Sequence, residues 1–324
     1  MPISLRLAYL VFEVRKPARW DRFMREMLGL PAPDVHPDGS TGWRVDGACQ
    51  RLIVTPGARD DLLALGLECG DAADLQQLLE RLRAGGHRPE QADAVLCRQR
   101  GVRELWWLED PAQGLVELCW GLEQAATPFA SAAFPDGFET GALGLGHVVL
   151  VAHDLPAMEA FYGGLLGFGV TERLDTQVGP VHMRGTFLHC NQRHHSLALF
   201  DLPSSQRIHH FMLQARATRD VGRAFERAEA LGLPIALELG QHPDPDGTFS
   251  FYAETPSGFA FEIGAQTRAI EPAGWRTMHT HETSAWGHRP RLRLKLKMAR
   301  EMLKARLWGR RHRVSARRAR GEVL

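Results

Sequence analysis

The chain contains 324 residues, of which 44% are hydrophobic and 24% charged, and its formal net charge is +1. This size and composition suit about two domains with buried cores and exclude a mostly disordered chain. No segment reaches the roughly 18 apolar residues that a membrane-spanning helix needs. The five cysteines are odd in number and lie far apart without a C-x-x-C pair, which favours a reducing compartment. We therefore expect a cytoplasmic protein.

The first predicted strand and helix occur twice in the chain. Residues 7–30 and 145–168 each contain an apolar strand, a proline near the helix start, an amphipathic helix and a closing Leu-Gly pair. An offset of 138 residues aligns the closing glycines and places Tyr9 on His147. The two stretches therefore start equivalent structural units.

Two further pairs of segments repeat in the same way. A second helix-containing pair has an offset of 146 residues and places Ala64 opposite His210. A third pair, with an offset of 145, places Glu117 opposite Glu262. The chain thus holds four repeats of one strand, one helix and several short strands, near residues 5–60, 61–121, 143–205 and 207–265.

Repeats of this length indicate paired units that share a sheet, because one such unit cannot bury its own hydrophobic face. We predict an α+β fold in which four βαβββ units form two similar domains, each a curled mixed sheet with outer helices. Residues 123–141 are rich in Pro, Gly, Ala and Ser, as a linker is. The predicted division is an N-terminal non-catalytic domain of two units over residues 1–134, a C-terminal metal-binding catalytic domain of two units plus a docking segment over 135–290, and a basic extension over 291–324.

Glu262 lies in the last predicted strand of the fourth repeat. Phe259, Phe261 and Ile263 alternate with Ala260 and Glu262, so the carboxylate lies on the face opposite the aromatic rings. Alone, this pattern is typical of a glutamate that faces solvent.

Two histidines at repeat-equivalent positions give that glutamate a different interpretation. The second half has His147 and His210 where the first half has Tyr9 and Ala64. One histidine is usually an ordinary core or surface imidazole, but two imidazoles and a carboxylate match the facial triad that holds non-haem iron(II). The sequence therefore predicts one iron(II) site, confined to the second half, with His147, His210 and Glu262 as ligands.

Four sequence blocks resemble a known family when they are taken together. They are LGLGHVVL around His147, FLHCNQRHHSLAL around His195, IHHFML around His210 and FYAETPSGFAFEIG around Glu262. As a set, and over residues 5 to about 290, the chain resembles the two-domain type I extradiol ring-cleavage dioxygenases of the vicinal oxygen chelate superfamily.

The resemblance implies an activity and a ligand set. By that resemblance His147, His210 and Glu262 bind Fe(II), with His210 favoured over His209 because the family ligand directly precedes the Phe-Met-Leu run. The reaction would use O2 to open a catechol next to its two hydroxyl groups. The substrate would be a 2,3-dihydroxybiphenyl-like or another 3-substituted aromatic diol, and the protein is expected to be a homo-oligomer.

The resemblance also implies residues that handle protons around the substrate. His195 is similar to the family's acid/base histidine, and Tyr252 and His242 are similar to its hydrogen-bonding residues. The alternatives are a polar turn for His195 and a strand-capping aromatic for Tyr252. One extra residue separates His242 from Tyr252 relative to the family pattern, which leaves open whether His242 or Asp246 contacts the substrate.

Two other functions remain compatible with the same superfold. One is a non-catalytic protein that binds an aromatic ligand, and the other is a metal-dependent isomerase or lyase that consumes no oxygen. The sequence encodes no readable identity for the catechol.

The end of the chain differs in charge from the rest. Fourteen of the 39 Lys and Arg residues, but only two of the 38 Asp and Glu residues, lie from Arg289 onward. Leu292, Leu296, Leu303 and further apolar residues at helical spacing predict a basic amphipathic helix, although the start RLRLKLK would also suit a strand. A solvated helix or a contact with an acidic neighbouring subunit is the simplest interpretation. Membrane-surface docking and nucleic-acid contact are alternatives, and no recognition motif supports the latter.

Overall fold

The computed structural model describes residues 3–178, 181–296 and 299–300, and it contains two large mixed sheets. The first sheet consists of eight strands: β1 Leu5–Val14, β2 Asp34–Val35, β3 Thr41–Trp43, β4 Leu52–Pro56, β5 Asp61–Cys69, β6 Glu90–Gln91, β7 Glu104–Glu109 and β8 Leu115–Trp120. The second consists of nine: β9 His147–Val151, β10 Gly169–Val178, β11 Val181–His189, β12 Leu197–Asp201, β13 Ile208–Gln214, β14 Ile235–Gln241, β15 Phe249–Glu254, β16 Ala260–Ala265 and β17 Met278–Thr280.

Five α-helices connect these strands. They are α1 Pro17–Arg22, α2 Ala72–Ala84, α3 Ala94–Arg100, α4 Leu155–Glu159 and α5 Thr218–Ala230. A π-helical turn extends α1 over Phe23–Met27 and extends α4 over Ala160–Leu165, and a short 3₁₀ turn covers Gly141–Leu143. Each unit therefore has one strand, one connecting helix and three strands, as the repeats predicted, and α3 is an addition to the second unit.

Local sequence signals explain where the helices begin. The side chain of Asp71 accepts a 2.9 Å hydrogen bond from the backbone N–H of Asp74 and caps α2. Asp154 caps α4 in the same way, and prolines occupy the first turns of α1 and α4. These signals explain where α1, α2 and α4 begin, which are the helices that follow the first strands of the first three units.

The strand order within the sheets repeats as the sequence does. The first sheet runs β2-β3-β4-β1-β5-β8-β7-β6, and the second runs β14-β15-β16-β13-β9-β12-β11-β10-β17. The two units of each half meet where their first strands pair antiparallel, β1 with β5 and β9 with β13. The predicted α+β fold with four βαβββ units and two curled mixed sheets is thus confirmed.

The helix-bearing sides of the two halves share one hydrophobic core. The ring of Phe12 lies 5.0 Å from that of Trp20 and 5.4 Å from that of Phe259, so first-half and second-half aromatics stack together. Phe134, in the predicted linker, is fully buried, and its ring centroid lies 4.5 Å from that of Phe138. The boundary between residues 134 and 135 stays a prediction.

The opposite face of each sheet, which we call the inner face, differs between the halves. In the first half it is filled by a cluster that includes Tyr9, Val11, Ile53 and Leu105 and on which α3 packs. In the second half the cluster of buried apolar residues is smaller and consists of Val149, Leu174, Ala198 and Phe200. Space for a ligand is therefore expected on the inner face of the second half.

Within the described residues, no helix is both long enough and apolar enough to cross a membrane.

Residues 292–296 are helical, so the start of the predicted basic tail forms a helix and not a strand. Arg291 pairs with Glu229 at 2.6 Å and Arg293 pairs with Glu254 at 2.9 Å, so the first basic residues contact acidic side chains of the same chain. Most of the predicted extension, including residues 301–324, lies outside the described residues.

Candidate metal centre

Strand register assembles the predicted metal site. His147 on β9 pairs with Met212 on β13, Met212 pairs with Glu262 on β16, and Glu262 pairs with Tyr252 on β15. His210 lies two residues from Met212, so its side chain is on the same face of β13. Adjacent strands lie about 4.8 Å apart, so these side chains converge on the inner face.

The ligand atoms of the three predicted metal ligands lie 3.1–3.4 Å from one another. Nε2 of His147 lies 3.1 Å from Nε2 of His210 and 3.1 Å from Oε2 of Glu262. Nε2 of His210 lies 3.4 Å from the same oxygen. All three residues are buried, and their ligand atoms form a compact group.

This group fits a divalent cation. Ligands about 2.1 Å from an octahedral ion and at right angles to each other lie about 3 Å apart, which is close to the three separations here. No hydrogen bond of good geometry reaches either carboxylate oxygen of Glu262 from the described residues, although Nε2 of His147 and Nε2 of His210 lie 3.1 and 3.4 Å from Oε2. A buried carboxylate without a well-aligned donor is costly, and a cation between the three side chains would remove that cost.

The protonation states favour metal binding. Burial lowers the pKa of His210 to about 4, although Glu262 opposes the shift, so this imidazole is neutral at pH 7. Burial alone would raise the pKa of Glu262, but its contacts with His147 and His210 hold that pKa well below its ordinary value. A neutral imidazole and an ionised carboxylate are the forms that coordinate a metal.

His195 lies beside the proposed ligands. Its ring centroid is 4.1 Å from that of His147, and burial, reinforced by the neighbouring histidines, lowers its pKa well below the ordinary value. Nδ1 of His195 is 3.0 Å from Nδ1 of His194. Buried and neutral, His195 is available to accept a proton.

His242 and Tyr252 form a pair beside Glu262 and His210. His242 donates from Nδ1 to the carbonyl oxygen of Thr283 at 2.8 Å, and its Nε2 lies 2.8 Å from the hydroxyl of Tyr252. Burial opposes protonation of His242, but Glu262 and Asp246 raise its pKa to about 9. Burial also raises the pKa of Tyr252 well above its ordinary value, so the phenol keeps its proton.

The extra residue in the loop before Tyr252 leaves both candidate side chains near the centre. His242 reaches Tyr252, whereas buried Asp246 lies in a compact group with His194 and His195. The structure therefore gives the two residues different contacts, Tyr252 for His242 and the group of His194 and His195 for Asp246.

Two residues that lie near the centre, Glu172 and His288, were not predicted from the sequence. Oε2 of Glu172 lies 3.6 Å from Nε2 of His194, and burial raises the pKa of Glu172 to about 7. The ring of His288 lies 4.7 Å from that of His242. Alternation with Leu174 on β10 could have indicated Glu172. The predicted docking segment contains His288, but the sequence did not indicate that this imidazole lies beside His242.

Two family models match the chain. Residues 144–263 match the Glyoxalase/Bleomycin resistance protein/Dioxygenase superfamily, and residues 7–57 match the first domain of dihydroxybiphenyl dioxygenase. The first match spans the metal centre, because it contains His147, His210 and Glu262.

Curated proteins and solved structures match over most of their length. The chain is 40% identical over 287 residues to biphenyl-2,3-diol 1,2-dioxygenase of Pseudomonas sp. (strain KKS102), which covers 88% of this chain and 97% of that protein. It is 34% identical to the iron-dependent extradiol dioxygenase of Rhodococcus jostii (strain RHA1), with coverages of 88% and 97%. The crystal structure of a halotolerant catechol dioxygenase superposes with a TM-score of 0.83 at 32% identity, covering 91% of this chain and 96% of that one. This chain belongs to the extradiol dioxygenases of the vicinal oxygen chelate superfamily.

Proposed function

We propose that the protein opens a catechol carrying a substituent next to one hydroxyl group, using O2 and Fe(II) held by His147, His210 and Glu262. The observation that carries the proposal is the buried group in which Nε2 of His147 and Nε2 of His210 lie 3.1 and 3.4 Å from Oε2 of Glu262. The relative from Rhodococcus jostii, named as iron-dependent, supports iron as the metal.

The iron, when bound, would supply the redox chemistry of dioxygen and lower the cost of removing a proton from the catechol. His147, His210 and Glu262 would hold the metal and would leave further coordination positions open to substrate. The side chains around the ligands then have to orient the catechol and move its protons.

His195 is the residue that we assign to proton transfer. Its neutral imidazole lies directly against His147, so it can accept a proton from a catechol hydroxyl and return it to the opened product. Burial lowers the pKa of His195 well below its ordinary value, so the imidazole is neutral before the reaction and can accept a proton.

Tyr252 and His242 would stabilise the negative charge that develops on oxygen. The high pKa of Tyr252 keeps its O–H available as a donor, and His242 holds the phenol in place through the 2.8 Å contact. A protonated His242 adds a positive charge 3.7 Å from Oε1 of Glu262.

We also infer a reducing, cytoplasmic location, which the five unpaired cysteines support. Assembly into a homo-oligomer stays a prediction.

The experiment that tests this function is anaerobic reconstitution with Fe(II), followed by addition of oxygen and a panel of catechols. The expected result is a yellow ring-opened product with one O2 consumed for each catechol. Metal-free protein and the His182→Ala variant serve as controls, since His182 is a surface histidine with 57% of its side chain exposed. Binding without oxygen uptake would favour the ligand-binding alternative, and conversion of a substrate without oxygen would favour the isomerase or lyase.

A further inference from the structure

The inner face that carries His147 continues along the strands as an apolar surface. Val149 on β9 pairs with Ala198 on β12, and Ala198 pairs with Phe187 on β11, so these three form one row across the sheet. Val149 is two residues from His147 and therefore lies next to it on the same face. The ring of Phe187 lies edge-on to His195 with 4.9 Å between centroids, so this row borders the reaction centre.

The next row along the strands ends this surface with a large ring. Phe200 is two residues beyond Ala198 and pairs with Gly185 on β11, which in turn pairs with Leu174 on β10. A Cβ atom built on Gly185 would lie 2.3 Å from the ring of Phe200, so the ring rests directly on the glycine backbone. Phe200 also packs edge-on against Phe187 at 5.6 Å.

The two rows contact different parts of the substrate if the catechol binds at the metal. The row of Phe187 contacts the catechol ring, because it lies beside His147 and His195. Any group attached to that ring and directed along the strands then meets the row of Phe200. Phe200 has little freedom to withdraw, since Gly185 lies beneath its ring and Phe187 lies at its edge.

We propose that Phe200, seated on Gly185, is the end wall of the substrate pocket and restricts the enzyme to catechols with small 3-substituents. The preferred substrates are catechol and 3-alkylcatechols with short chains, and a 3-aryl group requires the Phe200 ring to move. This inference rests on the proposed function and specifies its substrate class. Overpacking an apolar site by several carbons corresponds to about a 10- to 100-fold preference in kcat/KM.

The test compares 3-methylcatechol with 2,3-dihydroxybiphenyl as substrates of the iron-loaded protein. The wild type is expected to favour 3-methylcatechol by at least about tenfold in kcat/KM. Phe200→Ala is expected to raise kcat/KM for 2,3-dihydroxybiphenyl relative to kcat/KM for 3-methylcatechol by at least about tenfold. Phe200→Leu keeps more of the packing and should give an intermediate ratio of the two values. Gly185→Ala pushes the ring into the pocket and should reduce activity on 3-methylcatechol more than on catechol.

Phe225→Ala is the matched control, because Phe225 packs against Phe251 at 5.4 Å on the helix-bearing side. It should leave the ratio between substrates unchanged. The inference is overturned if the wild type cleaves both substrates with similar kcat/KM, or if neither substitution at Phe200 changes the ratio. Failure of the wild type to cleave any catechol would instead overturn the proposed function and this inference with it, so the two failures are distinguishable.

Discussion

The hydroxyl of Tyr9 donates a 2.7 Å hydrogen bond to Oε2 of Glu117, at the place where the second half brings His147 to Glu262. Arg100, at the end of α3, adds bonds of 2.8 and 2.9 Å to the two oxygens of Glu117. A guanidinium therefore neutralises the buried glutamate of the first half. The same sheet position thus holds an ion pair in one half and the candidate metal centre in the other.

Glu117→Gln is expected to destabilise the protein by about 3–5 kcal/mol, because it leaves the Arg100 cation buried without its anion. The side chains of Arg100 and Glu117 are only 8% and 3% exposed, so water cannot replace the lost partner. Chemical unfolding measures the change. Glu26→Gln is the control: Glu26 pairs with Arg22 on the surface, and its loss should cost at most about 0.5 kcal/mol. Equal effects from the two substitutions would contradict a structural role for the first-half ion pair.

Glu262→Gln should act on both the metal-free and the iron-loaded protein. In metal-free protein it removes the interactions with His147 and His210 that hold the pKa of Glu262 well below its ordinary value, so the unfolding free energy at pH 7 should fall. The stabilisation by added Fe(II) should disappear, since that stabilisation reaches about 4 kcal/mol when the metal is at 1,000 times its Kd. Thermal unfolding with and without Fe(II) shows both effects, and retention of the metal-dependent shift would argue against Glu262 as a ligand.

The repeats in the sequence predicted which positions share a row of the sheet. The observed register agrees, because Tyr9, Gly66 and Glu117 pair across three strands as His147, Met212 and Glu262 do. The predicted convergence of two histidines and a glutamate follows from that register, so local patterns and repeat offsets were sufficient for it.

The side chains from other segments that contact this row of the sheet could not be predicted from the repeats. Arg100 belongs to α3, which has no counterpart in the other three units, so no offset indicates where its side chain lies. The contact between His242 and His288 joins residues that are far apart in the chain and depends on the path of the closing segment. Such contacts arise from tertiary packing, which sequence periodicity does not specify.

His147→Ala and His195→Ala should separate metal binding from proton transfer. Loss of a ligand at His147 should reduce iron affinity by more than about 100-fold, because even residues around a ligand typically contribute about 10- to 100-fold. His195→Ala should keep the iron and lower kcat by about 10²–10⁴, as loss of a general acid/base does. Iron content after desalting and oxygen-electrode rates distinguish the variants. Equal metal loss in both would show that the two roles are assigned wrongly.

Asp110→Ala is expected to weaken the attachment of the two halves to each other. The buried carboxylate of Asp110 accepts 2.9 Å bonds from the hydroxyl of Tyr162 and from Nη2 of Arg207, both in the second half. Its removal leaves Arg207, with 11% of its side chain exposed, without a carboxylate and should cost about 3–5 kcal/mol. Calorimetry should show the single unfolding transition broaden or split. Asp21→Ala, at an exposed pair with Arg25, is the control and should shift the transition little.

Glu172 should make the stability of the protein fall as pH rises from about 4.5 to 7. Burial, with a smaller contribution from Asp246, raises its pKa from 4.5 to about 7, so the folded protein binds more protons than the unfolded chain in this window. Each pH unit there costs up to about 1.4 kcal/mol, and the full cost of about 3 kcal/mol is reached above pH 7. Glu172→Gln has no charge to bury and should be the more stable protein at pH 8 by about that amount, whereas at pH 4 both carry a neutral side chain and should be alike. Equilibrium unfolding at the two pH values measures the difference, and a gap that is equally large at pH 4 would mean that the glutamine acts through packing and not through the buried charge.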